Sequence, residues 1–299
     1  MKEEQIDGVS NSELMDLEEQ LGNLVSTYRT MISIIYPNDM RSPPGDLHGT
    51  GSYFEVDGNI FLLTCEHVGK FITDAELCAS FNGSEAAFSL PNTFSSLLYP
   101  ADIAITAITK NTWESIPHSA RTIPYAHFAE KHDPIDNELM YVSGYPGELS
   151  RVWPAMNPES VDDVDGAGIQ YCTAISLICE INDVFDHVMN QDNPQPLEDM
   201  HFLLPYTPEF ATYMNDERDN ILPRAPGLSG SLVWNTRYRE IKRAGGIWKP
   251  SDARVTGIIW GNSTKAGVLV ATPVEYIRQL IELARKNMSE DKPYWHAPS

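Results

Sequence analysis

Short apolar runs separated by turn-forming residues fill the chain from residue 28 onward. Runs rich in Val, Ile, Thr and aromatic residues, bounded by Gly, Pro, Asn or Asp, are typical of β-strands. The pattern predicts a first set of strands at 28–36, 50–56, 59–65, 76–82, 86–90 and 102–108. It predicts a second set at 138–144, 168–181, 200–206, 231–235, 254–260 and 267–272. Asp57-Gly58 lies between two of these runs and predicts a tight hairpin turn.

Helical periodicity occurs near the two ends of the chain. Four leucines recur at intervals of three and four residues, namely Leu14, Leu17, Leu21 and Leu24. Ser10 and Glu13 precede most of them with the spacing of a capping box, so we predict a helix after a disordered stretch at 1–9. We expect the leucine stripe to pack on the body of the protein, with docking to a partner as the alternative. A second amphipathic segment at about 273–287 predicts a C-terminal helix.

These elements predict the fold class and its divisions. A chain of 299 residues with two sets of six strands favours an all-β protein built from two six-stranded antiparallel barrels, with a helix added at each end. The expected divisions are 1–26 for the N-terminal stretch and helix, 27–120 for the first barrel, and 121–299 for the second barrel with the C-terminal helix. A linker rich in Pro and His is expected at about 110–134.

One glycine-rich turn carries the most specific chemical signal. In Pro226-Gly227-Leu228-Ser229-Gly230-Ser231 a serine lies in a glycine-flanked turn that runs directly into an apolar β-type run. A nucleophilic serine needs an exposed hydroxyl and nearby backbone N–H groups that can hold an oxyanion. Upstream, His67 ends one apolar strand and Asp102 opens another. The chain order His67, Asp102, Ser229 is that of the chymotrypsin-like triad, and it differs from the subtilisin and α/β-hydrolase orders.

The triad hypothesis gives each residue a role. His67 would accept the Ser229 proton as the serine oxygen attacks a carbonyl, and would then return it to the leaving amine. Asp102 would fix the imidazole tautomer and stabilise the imidazolium. The backbone N–H groups of Gly227 and Ser229 would form the oxyanion hole. The sequence therefore predicts a serine endopeptidase that forms an acyl-enzyme intermediate.

Four segments resemble the trypsin/chymotrypsin-like serine peptidase family, in its bacterial intracellular form, over roughly residues 27–286. Thr64-Cys65-Glu66-His67 resembles the family's T-A-A-H element, and Gly227-Leu228-Ser229-Gly230-Ser231 resembles its G-D-S-G-G element. Gly257-Ile258-Ile259-Trp260-Gly261 resembles the G-I-V-S-W-G strand of the substrate cleft, one residue shorter. Ala266-Gly267-Val268-Leu269-Val270-Ala271-Thr272 resembles the closing strand. The resemblance implies that the two six-stranded antiparallel barrels are of the chymotrypsin-like type. It also implies a cleft between the barrels, with the triad drawn from both.

The resemblance also implies the substrate-binding residues. The pocket floor, six residues before the nucleophile, falls on Pro223, and Trp260 forms a wall of the cleft. Gly261 and Gly267 would leave the pocket walls open, so an apolar side chain of medium or large size is favoured over Lys or Arg. Leu228 stands where secreted members have the Asp that pairs with a freed N-terminus, so activation by that cleavage is not expected.

The acidic balance of the chain limits its partners. The formal net charge is −21, which argues against nucleic acid because phosphate contacts require Lys and Arg. Residues 152–217 contain thirteen Asp or Glu and no Lys or Arg. This stretch is either a solvated surface that aids solubility or a surface that attracts a basic partner or substrate. We expect a protein or peptide substrate, and analogy with intracellular family members suggests one dedicated partner protein.

Cysteine usage and hydropathy indicate a compartment. The four cysteines form no dense framework and are expected to be reduced thiols, which is typical of a cytoplasmic protein. No apolar run reaches the length of about 18 residues that a membrane span needs, and the first residues lack the pattern of a secretory signal. We expect no cofactor and no metal; the acidic run at 162–166 lacks the first and last ligand positions of an EF-hand loop.

Several alternatives stay open on sequence alone. Ser231 is the rival nucleophile and Asp74 the rival acid. A catalytically silent pseudo-protease that serves as a protein-interaction module would carry the same motifs. An α/β-hydrolase esterase would use Ser229, Asp252 and His296, which occur in the order that this class requires. The esterase also requires strands that alternate with helices, a pattern absent upstream of the serine.

Overall fold

The fold is described from a computed structural model of the chain. The residues that the structure describes are 8–38, 45–70, 75–84, 86–91, 93–154, 168–181, 185, 194–208 and 222–289. Asp74 and His296 lie outside them, as do residues 1–7 and much of the acidic stretch at 152–217. No helix in the described ranges is both long and apolar enough to cross a membrane.

The first half of the chain forms one sheet around an aromatic core. Its strands are β1 (Arg29–Ile35), β2 (Asp46–Val56), β3 (Asn59–Thr64), β4 (Glu76–Ser80), β5 (Ala87–Ser89), β6 (Ser95–Leu97), β7 (Ile103–Ile108) and β8 (Ile123–Pro124). Their order in the sheet is β5-β4-β1-β2-β3-β7-β6, and β8 pairs in parallel with β2. This sheet therefore extends past the predicted domain boundary at residue 120.

The second half forms a six-stranded antiparallel sheet and a separate ribbon. The ribbon pairs β10 (Ser150–Pro154) with β11 (Gly168–Cys172). The sheet contains β9 (Met140–Gly144), β12 (Ile175–Cys179), β13 (Phe202–Pro205), β14 (Leu232–Asn235), β15 (Arg254–Ser263) and β16 (Val268–Pro273). Its order is β12-β9-β14-β15-β16-β13. The predicted single strand at 168–181 is thus two strands that belong to different sheets.

The two sheets share one topology. In the first sheet, leaving aside the short edge strands β5 and β8, the strands follow the order fourth, first, second, third, sixth, fifth. In the second sheet they follow the order second, first, fourth, fifth, sixth, third. Both are the same cyclic order, first-second-third-sixth-fifth-fourth, opened at different places. The fold is therefore all-β with two antiparallel barrel-like sheets of the chymotrypsin-like type, as the sequence predicts. This antiparallel architecture overturns the α/β-hydrolase alternative, which needs a mostly parallel sheet with helical crossovers.

Five helices accompany the sheets: α1 (Asn11–Val25), α2 (Glu66–Gly69), α3 (Lys110–Ser115), α4 (Tyr238–Arg243) and α5 (Val274–Ser289), counted over the described residues. The capping box of Ser10 and Glu13 is confirmed at the start of α1. Val9, within the stretch predicted to be disordered, is buried. The α1 stripe packs on β9 and β12 of the second sheet, which confirms the packing interpretation. Helix α5 packs on β6, β7, β15 and β16, so it contacts both sheets.

Candidate functional site

His67 and Asp102 form the best-defined part of the site. His67 follows the end of β3 and is the second residue of α2, while Asp102 directly precedes β7, which pairs with β3. Asp102 Oδ2 is 2.6 Å from His67 Nδ1, and Asp102 Oδ1 accepts a hydrogen bond from the His67 backbone N–H at 3.0 Å. A carboxylate only accepts, so Nδ1 carries the proton and Nε2 is left as an acceptor. The Asp102 side chain is buried, whereas that of His67 is 45% exposed.

Two side chains from the second half of the chain hold the loop before Asp102. Thr272 Oγ1, on β16, donates to the carbonyl oxygen of Ala101 at 2.8 Å. His201 Nε2 is 2.8 Å from the carbonyl oxygen of Pro100, and its Nδ1 accepts from the Leu197 backbone N–H at 2.8 Å. Burial lowers the pKa of His201, which favours the neutral ring that this pair of contacts requires. Neither Thr272 nor His201 was predicted from the sequence as part of the site.

His48 is a second imidazole near His67. It lies on β2, and its pKa is lowered first by burial and also by the nearness of His67. A neutral His48 places no positive charge beside His67.

Cys65 packs beneath the histidine and offers a third donor atom to this cluster. One ligand atom each from Cys65, His67 and Asp102 lies within 4.8 Å of the others. However, the Cys65 thiol is fully buried and donates to the Ile259 carbonyl oxygen at 3.0 Å. Burial also raises the pKa of the Cys65 thiol well above its usual value. Metal ions bind the thiolate, so these features favour a packed thiol over a metal ligand. Cys65, Cys78 and Cys179 are all free thiols.

The Ser229 turn is fixed by backbone hydrogen bonds. Leu228 N donates to Ala225 O, and Ser231 N donates to Leu228 O, each at 2.9 Å. Gly230 N donates to Ile259 O at 2.8 Å. Gly230 has φ +91°, and a Cβ on it would lie 1.8 Å from the Thr50 carbonyl oxygen, so only glycine fits there.

Two N–H groups of this turn have no partner among the described residues. Within the part of the chain that the structure describes, neither Gly227 N nor Ser229 N donates a hydrogen bond. The peptide that carries the Gly227 N–H is anchored on its other side, because Pro226 O accepts from Gly147 N at 2.8 Å. The Gly227 φ of +98° is a conformation that glycine adopts readily. Free, fixed N–H groups at these two positions are what the predicted oxyanion hole requires.

The turn that carries Ser229 lies close to helix α2, which carries His67. A Cβ on Gly49 of β2 would lie 2.7 Å from Val68 Cγ1 and 3.1 Å from Ser229 O, so only a glycine separates the two segments. Ser229 Oγ is half-buried and donates to Trp260 O at 3.4 Å. No hydrogen bond joins Ser229 Oγ to His67 Nε2, although both residues are described. Ser231 is fully buried, which disfavours it as the rival nucleophile.

The predicted substrate-binding residues fall into two groups. Trp260 is largely buried between the ring of His201, with centroids 5.1 Å apart, and that of Tyr99, 6.2 Å apart. A Cβ on Gly261 would meet open space. On the other side, Tyr206 links Pro223 and Gly267, because its hydroxyl donates to Pro223 O at 2.5 Å and its backbone N–H donates to Gly267 O at 2.7 Å. The Pro223 carbonyl therefore already has a hydrogen-bond partner. Pro223 is also buried, so its ring is not open to solvent.

Two surface cavities lie away from this site. One, of about 400 Å³, lies between the start of α1 and α4, and the other, of about 370 Å³, lies beside the β2–β3 hairpin and α3. Neither includes a residue of the candidate triad. An extended peptide needs a groove rather than a deep cavity, because its backbone pairs with exposed strand edges.

Comparisons with known proteins add little to this geometry. No family model matches the chain, and no curated protein matches it. Among solved structures, the chain is similar to the Rv3671c protease from M. tuberculosis in its active form, at 13% identity over 89% of this chain and 84% of that one, with a TM-score of 0.43. It is also similar to a chain in a structure that concerns the coupled folding and binding of the intrinsically disordered Sesbania mosaic virus VPg protein, at 13% identity over 84% of this chain and 87% of that one, with a TM-score of 0.42. At these TM-scores, neither similarity carries a conclusion about the activity or the substrate of this chain.

Proposed function

We propose that this protein is a serine endopeptidase that cleaves protein substrates through Ser229, His67 and Asp102. The observation that carries the proposal is the pair of hydrogen bonds that the Asp102 carboxylate accepts from the ring and the backbone of His67. It leaves Nε2 as a fixed proton acceptor in a half-exposed ring. The N–H groups of Gly227 and Ser229 support it, since they have no partner among the described residues and lie at the proposed nucleophile and two positions before it.

The proposed reaction follows from these contacts. Ser229 Oγ attacks the substrate carbonyl while His67 Nε2 takes the hydroxyl proton, and Asp102 stabilises the imidazolium. The carbonyl oxygen becomes negatively charged and is held by the N–H groups of Gly227 and Ser229. His67 then gives its proton to the leaving amine, which leaves an acyl group on Ser229. Water then attacks this ester while His67 takes a proton from it, and His67 returns that proton to Ser229 Oγ as the carboxylic acid product leaves.

The Ser229 hydroxyl must change partner for this reaction. Its hydrogen bond to Trp260 O is long, at 3.4 Å, so little free energy opposes its loss. We propose that the hydroxyl turns from Trp260 O to His67 Nε2 when a substrate fills the cleft. Catalytic hydrogen bonds are often loose before the substrate binds.

A second candidate function rests on the same contact. If the hydroxyl stays on Trp260 O, the protein is a catalytically silent interaction module that keeps the peptidase architecture. The two candidates differ in one measurable property, which is turnover.

The test is hydrolysis of denatured casein by the protein and by three variants: Ser229→Ala, His67→Ala and the double variant. If the protein is a serine peptidase, we expect each single variant to lose nearly all kcat and to keep an unchanged circular dichroism spectrum. It also predicts that the double variant is hardly worse than either single one, because the residues act as a unit. If wild type hydrolyses casein no faster than Ser229→Ala does, the peptidase is refuted and the interaction module is the remaining candidate.

Substrate preference stays a prediction in two respects. An apolar side chain before the cleaved bond is favoured by the open wall at Gly261. A preference for basic proteins is favoured by the acidic stretch at 152–217, and long-range attraction of this kind weakens as salt rises. Cleavage of a basic protein should therefore lose more kcat/KM across a salt series than cleavage of a neutral peptide. An equal salt dependence would mean that the acidic stretch is only a solvated surface.

A further inference from the structure

Thr50 connects the first sheet to the nucleophile turn. It lies on β2 and is fully buried. Its hydroxyl donates to the carbonyl oxygen of Gly227 at 2.9 Å and accepts from the backbone N–H of Tyr145 at 3.0 Å. Its own backbone N–H donates to the carbonyl oxygen of Ser229 at 2.8 Å. Thr50 thus binds the carbonyl groups of the two residues whose N–H groups are unpaired.

The segment at 145–147 extends this network to the peptide that carries the Gly227 N–H. Gly147 N donates to Pro226 O at 2.8 Å. In a trans peptide the C=O and N–H point in opposite directions, so this bond directs the Gly227 N–H away from the 145–147 segment. Packing here is close, since a Cβ on Gly227 would lie 2.5 Å from Tyr145 O. One hydroxyl, that of Thr50, therefore fixes the turn and the segment behind it.

We propose that Thr50 is a positioning residue that holds the oxyanion-hole turn in its donating orientation. The inference rests on the proposed peptidase function and deepens it, because it assigns a role to a side chain of the opposite sheet. Without the hydroxyl, Gly227 O and Tyr145 N lose a buried partner. The turn relieves that loss by rotating the peptide planes around Gly227, which moves its N–H out of line with the substrate oxygen.

The test compares Thr50→Val with wild type. Valine keeps the branched shape and removes only the hydroxyl. Loss of one complete oxyanion donor lowers kcat by about 10²- to 10³-fold, and Thr50 holds a donor rather than supplying one. We therefore expect kcat on denatured casein to fall by about 10- to 100-fold, with KM within about 2-fold. The labelling rate with a fluorophosphonate should fall by a similar factor, because its phosphoryl oxygen occupies the same position as the substrate oxygen.

Two variants control for loss of packing. Thr50→Ser retains the hydroxyl, so its kcat and labelling rate should stay within about 3-fold of wild type. Thr106→Val makes the same change at another buried threonine of the first sheet, whose hydroxyl donates to Thr93 O at 2.9 Å. It should lower the unfolding temperature and leave kcat and labelling unchanged.

The outcomes separate this proposal from the proposed function. A wild type that neither hydrolyses casein nor reacts with the fluorophosphonate refutes the peptidase, and the role of Thr50 with it. An active wild type with an equally active Thr50→Val refutes the role of Thr50 alone. A rise in KM at constant kcat does the same, because it indicates substrate binding. If Thr50→Val does not fold, a loss of more than 10-fold in Thr50→Ser overturns the proposal, and activity within 3-fold supports it.

Discussion

Replacement of Asp102 by Asn changes one atom of the site and removes its negative charge. In the native protein, Asp102 accepts two hydrogen bonds from His67, one from the ring Nδ1 at 2.6 Å and one from the backbone N–H at 3.0 Å. An asparagine amide has one oxygen and one NH2 group, so it can accept only one of them. If the oxygen keeps the backbone bond, the NH2 group donates to Nδ1 and the ring proton moves to Nε2. His67 then cannot take the Ser229 proton.

The other amide orientation limits the size of the effect. It keeps the correct tautomer but places the NH2 group against the His67 backbone N–H, and a buried donor left without an acceptor costs about 1–3 kcal/mol. That cost reduces the competent population by about 5- to 150-fold. Loss of the charge that stabilises the imidazolium lowers kcat further. The corresponding substitution in a Ser-His-Asp peptidase lowers kcat by about 10⁴. We therefore expect Asp102→Asn to lower kcat by about 10²- to 10⁴-fold with little change in KM.

The assay is steady-state hydrolysis of denatured casein at pH 7, with circular dichroism to check the fold. Asp252→Asn is the matched control, because Asp252 Oδ2 also accepts a backbone N–H, from Lys249 at 2.8 Å, but away from His67. Its kcat should equal that of wild type. Retention of more than a tenth of kcat in Asp102→Asn would refute the tautomer argument.

Three further predictions concern stability. Ser231 Oγ is buried without a hydrogen-bond partner among the described residues, so Ser231→Ala should raise the free energy of unfolding by about 1 kcal/mol and keep full activity. Lost activity would revive this serine as the nucleophile. Burial lowers the pKa of His132 from 6.5 to about 4, so the unfolded chain takes up a proton first as pH falls. About 3 kcal/mol of the free energy of unfolding should therefore be present above pH 6.5 and lost by pH 4. In denaturant unfolding over a pH series, His132→Phe should reduce the slope of the free energy of unfolding against pH in this range. An unchanged slope would contradict the prediction. Gly230→Ala should cost more than about 3 kcal/mol of stability, because its Cβ would lie 1.8 Å from Thr50 O. Gly58→Ala, at φ +75° with nothing within 4 Å of its Cβ, should cost only about 1 kcal/mol. Equal costs of the two variants in thermal unfolding would refute the steric explanation.

Elements with a strong local signal could be predicted from sequence. The hairpin at Asp57-Gly58 has two positive φ values, +52° and +75°, as its residue types indicate. Helix α1 begins at its predicted capping box, and its leucines face the core because their spacing matches one helical face. In each case the residues that fix the conformation are neighbours in sequence.

Elements that depend on pairing could not be predicted. Strand β6 (Ser95–Leu97) is short and begins with two serines, so it shows no alternation, and only its pairing with β7 makes it a strand. Strand β8 (Ile123–Pro124) exists through its contact with β2 inside the predicted linker. The break between β11 and β12 lies within a continuous run of β-type residues, because the two strands join different sheets.

The candidate site shows the same division. His67, Asp102 and Ser229 could be proposed from residue type and chain order, and the structure brings the first two into contact. Thr50 and Thr272 could not, because each acts through a hydrogen bond to a backbone carbonyl distant in sequence. The one available signal was that Thr50 lies between two glycines at the start of a predicted strand.

Fluorophosphonate labelling followed by peptide mapping is the most direct test of Ser229 as the activated nucleophile. The reagent forms a bond to a serine oxygen only when a neighbouring base takes the proton and N–H groups hold the phosphoryl oxygen. We predict a single modified residue, Ser229, and loss of that labelling in His67→Ala, while Ser231→Ala labels as fast as wild type. No labelling of the folded protein, or modification at Ser231 instead of Ser229, would contradict the account.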